Sequence, residues 1–372
     1  MKSLVTAETW RLLNLGGLDP LRAQSLYEAV ALAVDRGHAP NTIILCYPAK
    51  PYVCLGFHQE LEKEIDVKFC RKQKLPIIRR PVGGGAVYLD SGQQFYQIVV
   101  SEDSPLVPFA ADKFFEKFLQ ATVHVYRALG VPAVYKPIND VVANGRKISG
   151  NGAGKIGDAN VLVGNIIFDL NYDAMAQVLK VPDEKFRDKL AKSMQEWVSS
   201  LKRELGYTPT RDRINHLLIE GYQNIGIKLV PGVLSGKEKE IFVKEVKPKH
   251  LSKKWLYMPE FRHPELDKRR VVKVAENVRI VEASYKAKKM IRVTMEIAFD
   301  KIRDILISGD FFMIPEQALP KLEEALVGSS IDRGEILNTV KQFYDKIKVQ
   351  TSGIKPVDFV EAIMKAVEVK RC

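Results

Sequence analysis

The sequence predicts an α+β fold: a mixed or antiparallel sheet with flanking helices, followed by a small C-terminal α/β domain. Three observations carry this reading. Strand-like runs follow one another closely without a helix between each pair, which argues against a doubly wound parallel sheet. At 372 residues the chain is too long for one ordinary core, since domains mostly run to roughly 100–200 residues. A composition shift at 232–254, rich in Lys and Glu with Pro248 near its end, marks a boundary. Domains are therefore predicted at 1–250 and 251–372.

Each element has its own signal. Asp19-Pro20 reads as an N-cap with Pro at the first helical position, opening a helix to about Val34 that the Gly37 region ends. Residues 41–47 (NTIILCY) and 52–56 read as strands, interrupted by Pro48 and Pro51. A charged helix is expected at 62–74, then a short strand at 76–78 and another at 94–100 (QFYQIVV). Over 111–129, Phe114, Phe115, Phe118, Leu119 and Tyr126 recur near helical spacing, with Gly130 and Pro132 as stops, so the aromatics are expected in the core. Residues 141–149 (VVANGRKIS) form a hairpin candidate with Asn144-Gly145 at the turn, where both central residues must accept positive φ. The glycine-dense SGNGAGKIGD precedes an apolar run at 161–170. Helices are expected at 182–205 and 210–222. Beyond the boundary, strands at 279–285 and 290–299 precede three helical patterns after Pro315.

Composition narrows the classes of function. Hydrophobic residues at 46% and charged ones at 27% are an ordinary globular balance, which excludes a disordered or fibrous chain. The net charge of +12 admits a nucleic acid, a membrane surface, an acidic protein or a phosphorylated small molecule as partner, and does not choose among them. No stretch approaches the roughly 18 apolar residues of a membrane span. The N-terminal MKSLVTAETWRLL has no apolar core followed by a small-residue cleavage site. Cys46, Cys54, Cys70 and Cys372 show neither a CxxC pair nor a His at zinc spacing, so a reducing cytoplasm is expected.

Two segments carry chemistry. In Arg79-Arg80-Pro81-Val82-Gly83-Gly84-Gly85-Ala86-Val87-Tyr88, three adjacent glycines let backbone N–H groups approach an anion closely. A neighbouring arginine can grip phosphate or carboxylate through two parallel hydrogen bonds. The run is neither GxGxxG nor a Walker A loop, and a tight connection beside a solvated Arg pair is the plainer alternative. The second segment is Asn139-Asp140 followed by Gly145-Arg146-Lys147-Ile148-Ser149-Gly150. Strand alternation would put Lys147 and Ser149 on one face, with Lys147 able to aim its charge at a developing phosphate charge. Asp140 is able to hold a metal or order the lysine, or it is an exposed hairpin carboxylate. Basic runs at 286–289 and 267–270 read as solvated faces.

Together, RRxxGGGAVY, then ND and GRKISG about 50 residues later, resemble the lipoate–protein ligase family of the biotin/lipoate ligase superfamily. The resemblance extends through Leu55-Gly56 with His58-Gln59, similar to the family's LGRxQ segment, and through Ser308-Gly309-Asp310-Phe311-Phe312 to the family's small accessory domain. It implies a two-step ligase: lipoate and ATP, normally with Mg2+, give lipoyl-adenylate, and the acyl group then passes to a lysine ε-amine. The acceptor so implied is a lipoyl domain or a glycine-cleavage H-like protein. No nucleic acid and no membrane is expected as partner.

Carried over by position, Arg80, Gly83, Gly84, Gly85, Ala86, Val87, Tyr88, Asn139, Asp140 and Lys147 would bind ATP or the adenylate. Lys147 and Gly84 would touch lipoate, and Lys147 would be the catalytic charge stabiliser. No metal ligand is assigned, with Asp140 the one candidate. Departures from the pattern are Leu89 before Asp90 and Val163-Gly164-Asn165, where the family tends to carry histidines. The NGAGKIGD segment is also changed, and is expected to be a flexible loop closing over the adenylate. An ATP-independent lipoyl or octanoyl transferase, a ligase for another small acid and a basic nucleic-acid binder are the alternatives. The related octanoyl transferases use a cysteine upstream of the lysine segment, where this chain offers only Tyr135-Lys136-Pro137-Ile138.

Overall fold

A computed structural model describes residues 7–108, 110–263, 266 and 278–368. The run at 267–270 and Cys372 lie outside the described residues. Two compact units divide the chain: Met1–Cys54, Ile65–Pro81 and Val87–Leu251 form the first, and Leu55–Glu64, Val82–Ala86 and Ser252–Cys372 the second.

The first unit is built on β1 (Glu8–Leu18), β2 (Thr42–Pro48), β3 (Tyr52–Leu55), β4 (Ile77–Arg79), β5 (Val87–Leu89) and β6 (Gln93–Ser101). After these come β7 (Val134–Lys136), β8 (Asp140–Ala143), β9 (Arg146–Ser149), β10 (Asn151–Ile156), β11 (Ala159–Ile167) and β12 (Ile227–Pro231). Six strands make one mixed sheet in the order β10-β11-β6-β2-β1-β12, antiparallel as far as β2 and parallel beyond it. Two small sheets, β4-β3-β5 and β7-β8-β9, accompany it. The expected mixed sheet with flanking helices is thus present.

Alternation along β6 shows how the main sheet is covered on both faces. Tyr96, Ile98 and Val100 enter a core with Trp10, Phe114, Phe115, Phe118, Leu217 and Tyr222. These last come from β1 and from the helices α2 (Ala111–Ala128) and α5 (Arg211–Asn224). Gln97, one residue out of phase, instead donates to the Ala23 carbonyl at 2.8 Å on α1 (Pro20–Asp35). The start of α1 follows the sequence signal: Asp19 accepts from the Arg22 N–H, with Pro20 at the first position. Its other side packs on Ile241, Phe242 and Val246 through Leu26, Ala29 and Ala33.

Four expectations need correction. The helix expected at 62–74 is two short helices, Leu61–Glu64 and Val67–Lys72, with Asp66 capping the second at the Phe69 N–H. The helix expected at 182–205 is α3 (Glu184–Trp197) and α4 (Leu201–Leu205), because Val198 is extended and bridges Lys147 while the Ser199 N–H donates to the Lys147 carbonyl at 2.8 Å. NGAGKIGD is no flexible loop: it forms β10 and its turn, and β10 pairs with β11 from Asn151↔Gly164 to Ile156↔Ala159. The hairpin at 140–149 forms with Asn144 at φ 49° and Gly145 at φ 77°, but its alternation is broken. Val142 pairs Lys147 and Val141 pairs Ser149, so Ile148 is an extra, bulged residue.

The second unit carries an antiparallel meander of β13 (Val278–Lys286), β14 (Met290–Ala298) and β15 (Lys301–Gly309), the last not expected from sequence. The helices α6 (Ala318–Leu326), α7 (Arg333–Ile347) and α8 (Pro356–Glu368) are the three patterns expected after Pro315. Its core gathers Val293, Met295, Ile305, Ile307, Leu319, Phe359 and Ile363. Two distant segments complete this unit. Glu60, almost wholly buried, accepts from Ser308 Oγ at 2.7 Å, and Glu64 pairs with Arg292 at 2.9 Å. His58 stacks on Phe311 with centroids 4.9 Å apart.

Candidate active site

In the first unit the lysine segment is fixed at nearly every residue. Tyr126 Oη donates to the Ile148 carbonyl, and its phenol lies 3.3 Å from the Ile167 N–H, which donates to it. Ser149 Oγ donates to the Asn165 carbonyl at 2.7 Å, and the Gly150 N–H donates to Asn165 Oδ1 at 2.8 Å. A buried strand edge so fully hydrogen-bonded has little freedom. The side chain of Lys147 is left partly open: it is 36% exposed, with Nζ 2.5 Å from Asp140 Oδ1. The contact is a charge pair between the ammonium and the carboxylate.

Asp140 owes its place to Asn139. The Asn139 side-chain amide donates to the Asn151 carbonyl, while Asn151 Nδ2 donates back to the Asn139 carbonyl at 2.9 Å. The structure therefore brings Asn139, Asp140 and Lys147 together, although six residues separate Asp140 from Lys147 in the chain. Arg80 is seated against β3: it is buried, and its Nη1 donates to Cys54 Sγ at 3.3 Å. Val87 and Tyr88 lie on β5, opposite Cys54 and Val53. The Tyr88 N–H reaches Met175 Sδ at 2.9 Å. Burial, and secondarily Asp90, lifts the Tyr88 phenol above its ordinary pKa.

The glycine run is a feature of the second unit. A Cβ on Gly83 would stand 2.5 Å from the Phe311 carbonyl oxygen, and one on Gly56 would stand 1.8 Å from the Gly84 carbonyl oxygen. Gly84 holds φ at 98°, a region that excludes most side chains. Close packing, as much as ligand approach, thus explains why this run is glycine. A motif continuous in sequence is divided: Arg80, Val87 and Tyr88 belong to one compact unit and Gly83, Gly84, Gly85 and Ala86 to the other.

The positions that depart from the family pattern are also placed. Leu89 is buried at the end of β5, opposite Tyr52. Burial lifts the Asp90 carboxyl above its usual range more than the Gly92 N–H lowers it. Val163, Gly164 and Asn165 run along β11 beside the lysine segment. Sequence reasoning missed Tyr96, and read Tyr126 only as core, Ser149 only as sharing the lysine's face and Asn165 only as a departure from the family pattern, since their bonds depend on strands that meet only in the fold.

The thiols are informative because a nucleophilic cysteine needs an accessible, lowered-pKa sulfur. Cys46, Cys54 and Cys70 are all buried and free. Burial pushes Cys46 up to about 12 and Cys70 up to about 11. Cys54 is raised as well, burial outweighing the lowering effect of Arg80. Among the described residues no group of three or more His, Cys, Asp or Glu side chains is placed to hold a metal. No helix among them is long and apolar enough to cross a membrane.

Comparison with known proteins gives a consistent picture. A family model described as the lipoyl protein ligase A/B catalytic domain matches residues 19–223, more than half of the chain. The octanoyltransferase LipM of Kyrpidia tusciae is 28% identical over 273 residues, covering 67% of this chain and 99% of that protein. The lipoate-protein ligase LplJ of Bacillus subtilis is 27% identical over 324 residues, covering 86% of this chain and 90% of that protein. Among solved structures, the bi-partite lipoate protein ligase of Thermoplasma acidophilum, studied with its E2 lipoyl domain, aligns with a TM-score of 0.59 and 27% identity, over 67% of this chain and 96% of that one. LipL1 of P. falciparum, in complex with lipoate, shares the fold at a TM-score of 0.66 with 14% identity, over 96% of this chain and 99% of that one. The matched catalytic-domain model and these relatives together establish that the chain belongs to the lipoyl protein ligase A/B family, an enzyme of the group that holds lipoate ligases and octanoyltransferases.

Proposed function

We propose that the protein is an ATP-dependent lipoate–protein ligase: it forms lipoyl-adenylate and passes the lipoyl group to a lysine ε-amine of an acceptor such as a lipoyl domain. The observation that carries this over octanoyl transfer is the state of the thiols. All three described cysteines are buried, with pKa values raised by that burial, and 135–138 holds none. Among the described residues an acyl-thioenzyme has no poised sulfur to form on, whereas adenylation needs fixed positive charge and no nucleophile. The extent of the ligase match, 86% of the chain against 67% for the octanoyltransferase, supports the same choice.

In this reading Lys147 stabilises the charge that develops as the lipoyl carboxylate attacks the α-phosphate and pyrophosphate leaves. Asn139 and Asp140 set its position, and Arg80 supplies a second, planar cation for phosphate. Tyr88 and Val87 would line the adenylate. The adenylate-binding role of Gly83, Gly84, Gly85 and Ala86 rests on their motif, as does lipoate contact by Gly84. Mg2+ fits as an ion that arrives with the nucleotide, because such sites use one or two carboxylates plus phosphate and water. Asp140 would hold it, and the ion would supply charge neutralisation at the phosphates.

Pretreating the folded enzyme with iodoacetamide tests the choice. Lipoyl transfer to a lipoyl domain should survive alkylation and should stop when ATP is omitted. Acyl transfer from a carrier-protein thioester that persists without ATP and is lost on alkylation would establish the thiol transferase instead.

A further inference from the structure

We infer that Tyr96, Asn151 and the gap at Gly164 form a brace that positions Asp140, and through it Lys147. The three residues lie in one row across adjacent strands: Asn151 on β10 pairs with Gly164 on β11, which pairs with Tyr96 on β6. Tyr96 Oη reaches across the glycine and donates to Asn151 Oδ1. It passes only because position 164 has no side chain. A Cβ there would stand 2.4 Å from Tyr96 Oη and 2.1 Å from Asn151 Oδ1, far inside van der Waals contact. The phenol is wholly buried, and burial lifts it to about 12, so it remains a neutral donor at any ordinary pH.

The brace runs on toward the lysine. With Oδ1 engaged by Tyr96, the Asn151 amide is oriented so that Nδ2 donates to the Asn139 carbonyl at 2.9 Å, and the Asn139 side chain returns a bond to the Asn151 carbonyl. That reciprocal pair pins residue 139, and the next residue is Asp140, whose Oδ1 faces Lys147 Nζ. Tyr96 Oη also lies 3.1 Å from Ser149 Oγ, two residues beyond the lysine. One phenol thus bonds the relay that reaches Asp140 and lies beside the residue two places past Lys147. Tyr96, Asn151 and Gly164 touch none of the reacting groups described above, so they are positioning residues. Their importance for catalysis rests on the ligase reading, while the brace itself does not.

The test uses the chemical reactivity of Lys147 in the full-length enzyme, without ATP or lipoate. Trace acylation with acetic anhydride is followed by mass spectrometry, with Lys113 and Lys202 as internal references and Asp140→Asn as the positive control. An exposed or half-exposed ion pair is worth little, so its loss should speed labelling of Lys147 by about two- to five-fold. Tyr96→Phe keeps the ring and removes the hydroxyl; Asn151→Ala removes the relay. Both should raise Lys147 labelling to the level of Asp140→Asn, with the reference lysines unchanged. Overturning results are Lys147 reactivity unchanged in Tyr96→Phe, a uniform rise at all lysines in both variants, or no response to Asp140→Asn. Failure of the wild type to form an adenylate would sink the functional proposal and leave this result standing.

Discussion

Lys147 is held at its backbone and released at its tip, and that contrast is what the chemistry needs. Its carbonyl accepts from Ser199, its neighbour Ile148 is bulged and tied to Tyr126, and its half-open side chain sets Nζ beside Asp140. Lys147→Ala should lower adenylation about 10²–10³-fold, as removal of a charge-stabilising donor does. Lys147→Arg should not restore it, because a guanidinium fork cannot take the place of a compact ammonium on this short strand. Single-turnover adenylation checks both. At this scale the sequence named the charged residues through their motif: Arg80, Asp140 and Lys147 are polar side chains beside glycines or a turn. Tyr96 and Asn165 were not legible, because a tyrosine in QFYQIVV looks like any core residue until three strands bring it to Asn151.

Elements were read best where the signal is local and worst where another strand decides. The Asp19-Pro20 start of α1 and the Asn144-Gly145 turn needed only their own residues. The break between α3 and α4 needed Lys147, since Val198 leaves helical geometry to bridge that strand and Ser200 then caps the next helix at the Arg203 N–H. Ser200→Ala should cost about 1 kcal/mol of stability, measured by urea unfolding. The glycines of β10 misled for a physical reason: absence of side chains signals freedom in isolation, but here the segment is held by its pairing with β11 along its whole length. Limited proteolysis should therefore leave 151–156 uncut with or without ATP and lipoate; cleavage there would contradict the strand.

For the whole molecule, the division of the RRPVGGGAVY run between two compact units was invisible to a sequence reading that cut the chain once, near residue 250. The second unit draws Glu60, Glu64 and His58 from far upstream to Ser308, Arg292 and Phe311. A fragment of 252–372 alone should consequently melt well below this unit in the full chain, by several degrees or more for each 1 kcal/mol lost, as calorimetry would show. His263 gives the same unit a pH signature. Burial alone would lower its pKa, but hydrogen bonds to Asp304 and Glu323, with Arg262 also on Glu323, raise it to about 9. A raised folded pKa stabilises fully below the unfolded value near 6.5 and is lost as pH climbs through 9. Stability of this unit should fall by about 2 kcal/mol across that window, discounted for partial solvent screening, and His263→Gln should flatten the slope. The central claim, adenylation by Lys147, is tested most directly by lipoate-dependent exchange of labelled pyrophosphate into ATP. Exchange in the wild type that requires lipoate and disappears in Lys147→Ala is the expected result. Absence of exchange in a folded wild type that still transfers acyl groups from a carrier protein would contradict it.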